Sequence, residues 1–552
     1  MVGWGAPAEH RSLRETGAPH PVRRPAPLPS PLVASRTTER LVSPLGATAL
    51  VVAALVSYGL QALAWPLQRG RDSWDYWLTF LQLADTDPPF SALQVFRTPV
   101  APLVTGIPMW VGGATLAEIV FGVLYALSIL GWAWAVAPIS RAAALATALV
   151  LLVTPTYAGL FHEVSSDHVF AFIVAWWAGA VVRAWRTGAT AWLAAAGGGV
   201  ALLTLCRPAT QVLLLAAVVV PLFARRGRTR MLRGLAVCLA AAILPLAAWA
   251  LLNEARYDDL TVARGGKAWV PFFRVGGETD PRNGDASRRL AEAVERDVLT
   301  LPPYRSRDVD VETYFGGVGN LEVIRLIALS DRVFGRDDDY DVLFDAAFES
   351  IRARPGAYAR GVADTLWDFL SQRYAPELRE RPVRIPSQPA ELAIDGEPFP
   401  APITVSPLVS AIRYGFVWCP TDDLERCIVR DPVAALGSTS QARRYEELVD
   451  TVRDWNAQLP SRDSKTWLAN KAGTASDRWP RPFLWLAVAA IAIAVRRPAG
   501  VAPIVALVGA ALVVLLVHAL SQAPQSEFQL PFVPVWIAAA LVGLLAPRAA
   551  RR

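Results

Sequence analysis

Arg71-Asp72-Ser73-Trp74-Asp75-Tyr76-Trp77 follows the first long apolar segment, roughly Pro44 to Trp65, and comes before the next one. If the stretch is helical, Asp72 and Asp75 are three positions apart and share a face. The aromatics around them are of the kind that settle at a membrane–water boundary. Carboxylates held just outside a membrane, beside a hydrophobic slab, suit chemistry on a lipid-linked substrate. The plainer alternative is a wetted loop with interfacial Trp anchors.

Composition supports the membrane setting. The chain has 552 residues, 53% of them hydrophobic and 18% charged, with a mean hydropathy of +0.32. Its apolar residues fall in blocks about as long as a membrane span. The net charge of +6 is carried largely by Arg in short loops, which reads as membrane topology and not as nucleic-acid binding. Richness in Ala, Arg, Pro and Trp points to a bacterial source of high GC content. Four cysteines are too few for a disulfide framework or a four-thiolate metal site. Cys206 and Cys238 sit in or beside apolar segments as packing residues, whereas Cys419 and Cys427 share a polar region and can pair if it faces an oxidising compartment.

Residues 1–43, rich in Pro, Arg and Ser, read as a disordered cytoplasmic tail rather than a cleaved signal peptide. About ten spans are expected, at roughly 44–65, 114–137, 141–160, 166–184, 189–205, 208–224, 232–252, 482–496, 500–519 and 530–546. Pro99 to Val111, short and broken by Pro102 and Pro108, reads as an elbow into the second span. With both termini cytoplasmic, every strongly basic short loop falls inside: Arg141, Arg183 and Arg186, the cluster from Arg225 to Arg230, and Arg496-Arg497. The expected fold is therefore an all-α polytopic protein of the cell membrane. A seven-span module covers 44–252, a large extracytoplasmic α+β or mixed domain covers 253–480, and three C-terminal spans and a basic tail cover 481–552. Within the inserted domain, Asp331 to Arg354 has helical spacing and Arg381 to Pro407 reads as a Pro-rich linker.

That topology brings three clusters to the outer face. Asp72 and Asp75 form the first, with Arg71 and Arg97 nearby in sequence. The second is Phe161-His162-Glu163-Val164-Ser165-Ser166-Asp167-His168, where helical spacing would put Glu163 and Asp167 on one face with His162 and His168 beside them. These acids can bind substrate or a divalent metal, although the spacing is not the zinc-protease pattern. Their simpler role is capping of the fourth span by Ser165, Ser166 or Asp167. The third is Arg207-Pro208: proline suits the first turn of a helix, and a helix N-terminus beside an Arg is a natural phosphate site. Interfacial snorkelling is the simpler role for Arg207.

An acidic pair after the first span, an acid-bearing second outer loop, and seven spans followed by an outer domain resemble the GT-C glycosyltransferases. Within them the chain is similar to the protein O-mannosyltransferase and aminoarabinose-transferase group, which uses polyprenyl-phosphate sugars. The run Ser521-Gln522-Ala523-Pro524-Gln525-Ser526-Glu527-Phe528-Gln529-Leu530-Pro531 is similar to a Leu-Pro segment that many of them carry before the last span. The resemblance covers the first seven spans and, less fully, the C-terminal ones; residues 253–480 carry none of it. It departs from the pattern at Gln525 and Glu527, where many relatives have Arg.

The resemblance implies an inverting sugar transfer at the outer membrane face, from a polyprenyl-phosphate donor to a protein, lipid or glycan acceptor. A carboxylate, Asp75 or Asp72, would act as base. Asp75 is preferred because Tyr76 and Trp77 follow it as an aromatic rest for the sugar. Arg207 would stabilise the leaving phosphate, backed by Arg264 and Lys267 of the run after span seven. Glu163, Asp167, His168 and Arg71 complete the expected substrate-binding set. No metal ligand set is assigned, although relatives differ over a divalent ion. Two rivals come from other classes: a flippase for a lipid-linked saccharide and a non-catalytic envelope-assembly protein. A transporter would be expected to carry polar or broken helices near mid-membrane, whereas the ionisable residues here collect at span ends.

Overall fold

The computed structural model describes residues 44–63, 66–70, 73–83, 97–224, 227–257, 259–263, 271–300, 304–305, 308–316, 326, 329–330, 333–335, 338, 340–371, 392–394, 397–399, 439–459, 478–521 and 526–549. Helix α1 runs over Pro44–Ala62, a length of about 28 Å at 1.5 Å per residue, close to the thickness of a bilayer core. A two-residue strand β1 (Gln68–Arg69) leads to α2, Ser73–Leu83. Helix α3 then covers Val100–Val136 and is interrupted at Gly112 (φ −149°) and Gly113 (φ 63°, ψ −160°). Gly113 takes a backbone conformation that side chains disfavour. The stretch read as an elbow is therefore a helical arm that ends at this glycine pair. Its prolines do not break it: Pro102 lies in the first turn, where no backbone N–H is needed.

Ser140 opens α4 (Arg141–Leu152) by accepting a hydrogen bond from the Ala143 N–H at 3.2 Å. The span expected over 141–160 is not one helix. It stops at Leu152, and Pro155 starts a separate six-residue helix α5, Pro155–Leu160, because a proline has no N–H to continue the ladder. Strand β2 (Glu163–Val164) precedes α6, Ser166–Thr187, which is closed by Gly188 in the left-handed region. Helix α7 (Thr190–Cys206) ends as Arg207 becomes extended, and Pro208 begins a 3-10 turn (Pro208–Leu213) that feeds α8, Leu214–Ala224. The short break expected between two spans is present. Helix α9 covers Arg228–Tyr257.

The polar segment that follows is mostly helical among the described residues: α10 (Phe272–Val275), α11 (Asp285–Asp297), α12 (Val311–Gly316), α13 (Asp341–Ala353) and α14 (Pro355–Ser371). Strands β3 (Leu392–Ile394) and β4 (Glu397–Phe399) pair antiparallel, inside the stretch read as a linker. Helix α15 is Thr439–Gln458. The helix expected from Asp331 is shorter than its spacing suggested, because Gly335 (φ 86°) and Tyr340 (φ 62°) turn the chain ahead of α13. Helix α13 holds α11 through Glu349, whose oxygens accept from the Ala286 and Ser287 N–H groups at 3.1 and 2.8 Å. These are orphan donors of the first turn of α11. The chain closes with α16 (Pro482–Arg496), α17 (Ala502–Ser521), a 3-10 turn (Ser526–Phe532) and α18, Val533–Leu545.

Six of these helical segments are long and apolar enough to cross a membrane: 44–62, 100–136, 166–187, 228–256, 502–521 and 528–545. Four shorter apolar ones, 141–152, 190–206, 208–224 and 482–496, lie where the remaining spans were expected. Leu55, Val56, Leu145, Leu149, Leu244 and Ile491 are exposed, which lipid explains and water does not. The chain is a multi-pass membrane protein. At one end of the bundle the Arg183 guanidinium lies 3.3 Å over the Trp134 ring. At that same end Arg496 donates to the Ala546 carbonyl, and the Ala499 N–H donates to that of Pro547. At the other end, α14 packs on α17 and the last 3-10 turn, and α15 packs on α2 and α3.

Candidate functional site

The two acid-bearing loops are joined by backbone. Strands β1 and β2 pair in parallel, Gln68 opposite Glu163 and Arg69 opposite Val164, and the Gln68 N–H donates to the His162 carbonyl at 2.8 Å. Beyond the pairing, a Cβ added to Gly70 would lie 2.2 Å from the Val164 carbonyl oxygen and 3.1 Å from Ser165 Cβ. Only glycine allows that approach. Five residues after Gly70 comes Asp75, and two after Ser165 comes Asp167.

Beneath the junction lies Glu118 of α3, an acid that the sequence reading passed over. It accepts from the Leu67 N–H, and its Oε1 is 3.3 Å from His162 Nδ1. The His162 ring stacks on Tyr58 of α1 at 4.1 Å and 8°, while the Tyr58 hydroxyl donates to the Phe161 carbonyl at 2.9 Å. Burial pushes the His162 imidazole below its usual value, against the opposing pull of Glu118. One carboxylate thus fastens both loops to the bundle.

Above the junction stand two acid–arginine pairs. In the first turn of α2, Asp75 is 1% exposed and accepts from Arg97 Nη2 through Oδ2 at 2.7 Å. Arg97 also lies 5.2 Å over the Tyr76 ring. Asp167, in the first turn of α6, pairs through Oδ1 with Arg207 Nη2 at 2.6 Å, both side chains being 12% exposed. Ser165 caps α6 by accepting from the Asp167 N–H at 3.2 Å, and Arg207 Nε donates to Ser166 Oγ at 2.9 Å. Phe170 and Phe528 lie 5.6 and 5.5 Å from the Arg207 guanidinium, and His518 stacks on Phe528 at 4.2 Å. The last turn before α18 therefore reaches the Arg207 pair through its aromatic residue.

Several expectations change. Glu163 is not on a helical face with Asp167: it lies in β2, paired in register with Gln68, and the helix starts only at Ser166. His168 is fully buried, its ring 4.1 Å from Phe121 and 6.0 Å from Phe161, so it is enclosed by aromatics of the bundle. Trp77 is no open sugar platform, because Trp455 of α15 packs edge-on against it at 5.7 Å and 86°. Asp72, Arg71, Arg264 and Lys267 lie outside the described residues, as do Cys419, Cys427 and Gln525. Cys206 and Cys238 are buried free thiols. Among the described residues no group of three or more His, Cys, Asp and Glu side chains is placed to hold a metal ion.

No protein-family model matches the chain, and no curated protein matches it in sequence. Its fold is similar to two crystal structures of ArnT from Cupriavidus metallidurans. One is bound to undecaprenyl phosphate (14% identity, TM-score 0.31) and one is in the apo state (15% identity, TM-score 0.29). Each alignment covers 90% of this chain and 76% of the other. What the site can do is read from its own residues.

Proposed function

We propose that the chain is a membrane glycosyltransferase that moves a sugar from a polyprenyl-phosphate donor to an acceptor at the outer face of the cell membrane. The observation that carries this reading is the junction of β1 with β2, which joins the segment leading into the Asp75–Arg97 pair to the segment leading into the Asp167–Arg207 pair. An isolated carboxylate near hydrocarbon is costly, and a guanidinium that holds it lowers that cost. The arrangement supplies both a base and a cation for displacement at an anomeric carbon.

In that reaction Asp75 takes the proton of an acceptor hydroxyl or amine as its oxygen or nitrogen bonds to the anomeric carbon. Arg97 fixes the carboxylate. The bond from that carbon to the phosphate oxygen breaks, its electron pair leaves with the polyprenyl phosphate, and the sugar inverts. Arg207 meets the charge that grows on the leaving phosphate. It is well suited because a guanidinium binds phosphate at two points, while Asp167 and Ser166 hold it in place. The lipid tail stays in the bilayer beside the exposed apolar helix faces, and residues 253–480 form the acceptor side. Glu163 acts through the strand that carries it.

Mass spectrometry of envelope glycans, glycolipids and glycoproteins with and without the chain tests this reading. The expected result is loss of one sugar addition from one acceptor class. Unchanged glycans, with a lipid-linked sugar accumulating on one side of the membrane, would point to the flippase instead.

A further inference from the structure

Helix α2 has two faces. On one, Trp77 packs edge-on against Trp455 of α15. The Phe80 ring lies there too, 6.2 Å from Trp455 and so close to α3 that a Cβ on Gly106 would be 2.2 Å from it. At about 100° per residue, Asp75, Thr79 and Gln82 fall within about 60° of one another on the opposite side of the helix. All three are buried, with Thr79 and Gln82 0% exposed. The Thr79 hydroxyl and both ends of the Gln82 carboxamide have no hydrogen-bond partner among the described residues.

Native proteins seldom leave a buried carboxamide unpaired, because it gave up its bonds to water on folding and a leucine of similar volume would not incur that loss. Here the unpaired groups continue in line from Asp75. Leu83, the last residue of α2, packs on the cluster of Ala201, Leu205, Leu246 and Trp249. The stripe therefore leads toward the end of α7, where Thr204 also carries a buried hydroxyl with no partner among the described residues and Arg207 follows three residues later. Each group can both donate and accept, and none is charged, so they suit neutral vicinal hydroxyls and not an anion, a cation or an acyl chain.

We propose that Thr79 and Gln82 form the subsite that reads the hydroxyls of the transferred sugar. The ring would lie between the base Asp75 and the phosphate held by Arg207. The inference rests on the transferase reading above and adds which residues set sugar specificity. A sugar lacking the matched hydroxyl would leave the carboxamide unpaired and would be rejected.

The test uses the full chain in nanodiscs with two kinds of probe: undecaprenyl phosphate alone, and undecaprenyl phosphate carrying mannose, glucose, galactose or arabinose. The wild type should bind one glycosylated lipid more tightly than the bare one. Gln82→Leu and Thr79→Val should each reduce that preference roughly 10-fold or more, with affinity for bare undecaprenyl phosphate unchanged. Gln82→Glu, which keeps an acceptor oxygen, should lose less of it than Gln82→Leu. Thermal unfolding is read on every variant. A Gln82→Leu protein that is more stable than wild type and retains the full sugar preference would show a merely buried polar face and overturn the subsite. A wild type that binds bare lipid with no preference for any sugar would overturn the subsite and leave the transferase reading standing. A wild type that binds no polyprenyl phosphate would overturn both.

Discussion

Asp167 and Arg207 are held together at 2.6 Å with little solvent around either side chain. Removing only one partner leaves a charge in a place that water barely reaches. Asp167→Ala should therefore cost about 3 kcal/mol, while Asp167→Ala with Arg207→Met should cost much less, since the pair's desolvation vanishes along with its attraction. Chemical unfolding in detergent of both variants checks this, and equal losses would mean that the pair is solvated. Arg207 was legible in the sequence because the proline after it ends one helix and starts the next turn. Asp75 was legible because it follows an apolar segment of span length. Arg97 was noted only as a neighbour, and its bond to Asp75 reaches back 22 residues. Glu118 gave no signal: it is one acid inside an apolar run, and its partners Leu67 and His162 lie in two different loops.

Among elements, the site depends on a strand pair of two residues on each side. Neighbouring strands run about 4.8 Å apart, within the range a disulfide spans. Cysteines at Gln68 and Glu163 should cross-link on mild oxidation, and a mass-spectrometric peptide map that finds both free would separate the loops. Gly70→Val should have a similar effect without chemistry, because the new side chain meets the Val164 backbone, which cannot swing aside. A fall in thermal stability is expected. The helix positions were readable because apolar blocks and prolines are local. The packing of α2 was not, because its cover comes from α15. There Trp455 meets Trp77, and the Gln458 carboxamide oxygen accepts from the Ala114 N–H at 3.1 Å, 344 residues away. That bond caps the second half of α3 just after Gly113, where the kink leaves an N–H without a helical partner.

For the molecule as a whole, the helix ends sort into a basic end, with Arg183, Arg496 and Arg497, and an end that carries the acid–arginine pairs. Placing the basic end in the cytoplasm follows the usual Arg bias. A cysteine at Thr300 should then react with an impermeant thiol reagent in intact cells, and one at Thr229 should react only after lysis; the reverse pattern would invert the topology and the mechanism with it. The central claim is that Asp75 takes a proton in sugar transfer. It is tested most directly by restoring the chain, as wild type or as Asp75→Asn, to cells that lack it and measuring the sugar-bearing acceptor by mass spectrometry at equal protein level. The account predicts that the initial rate of sugar addition with Asp75→Asn falls roughly 100-fold or more, with the variant still folded in the membrane. Addition at the wild-type rate would contradict it.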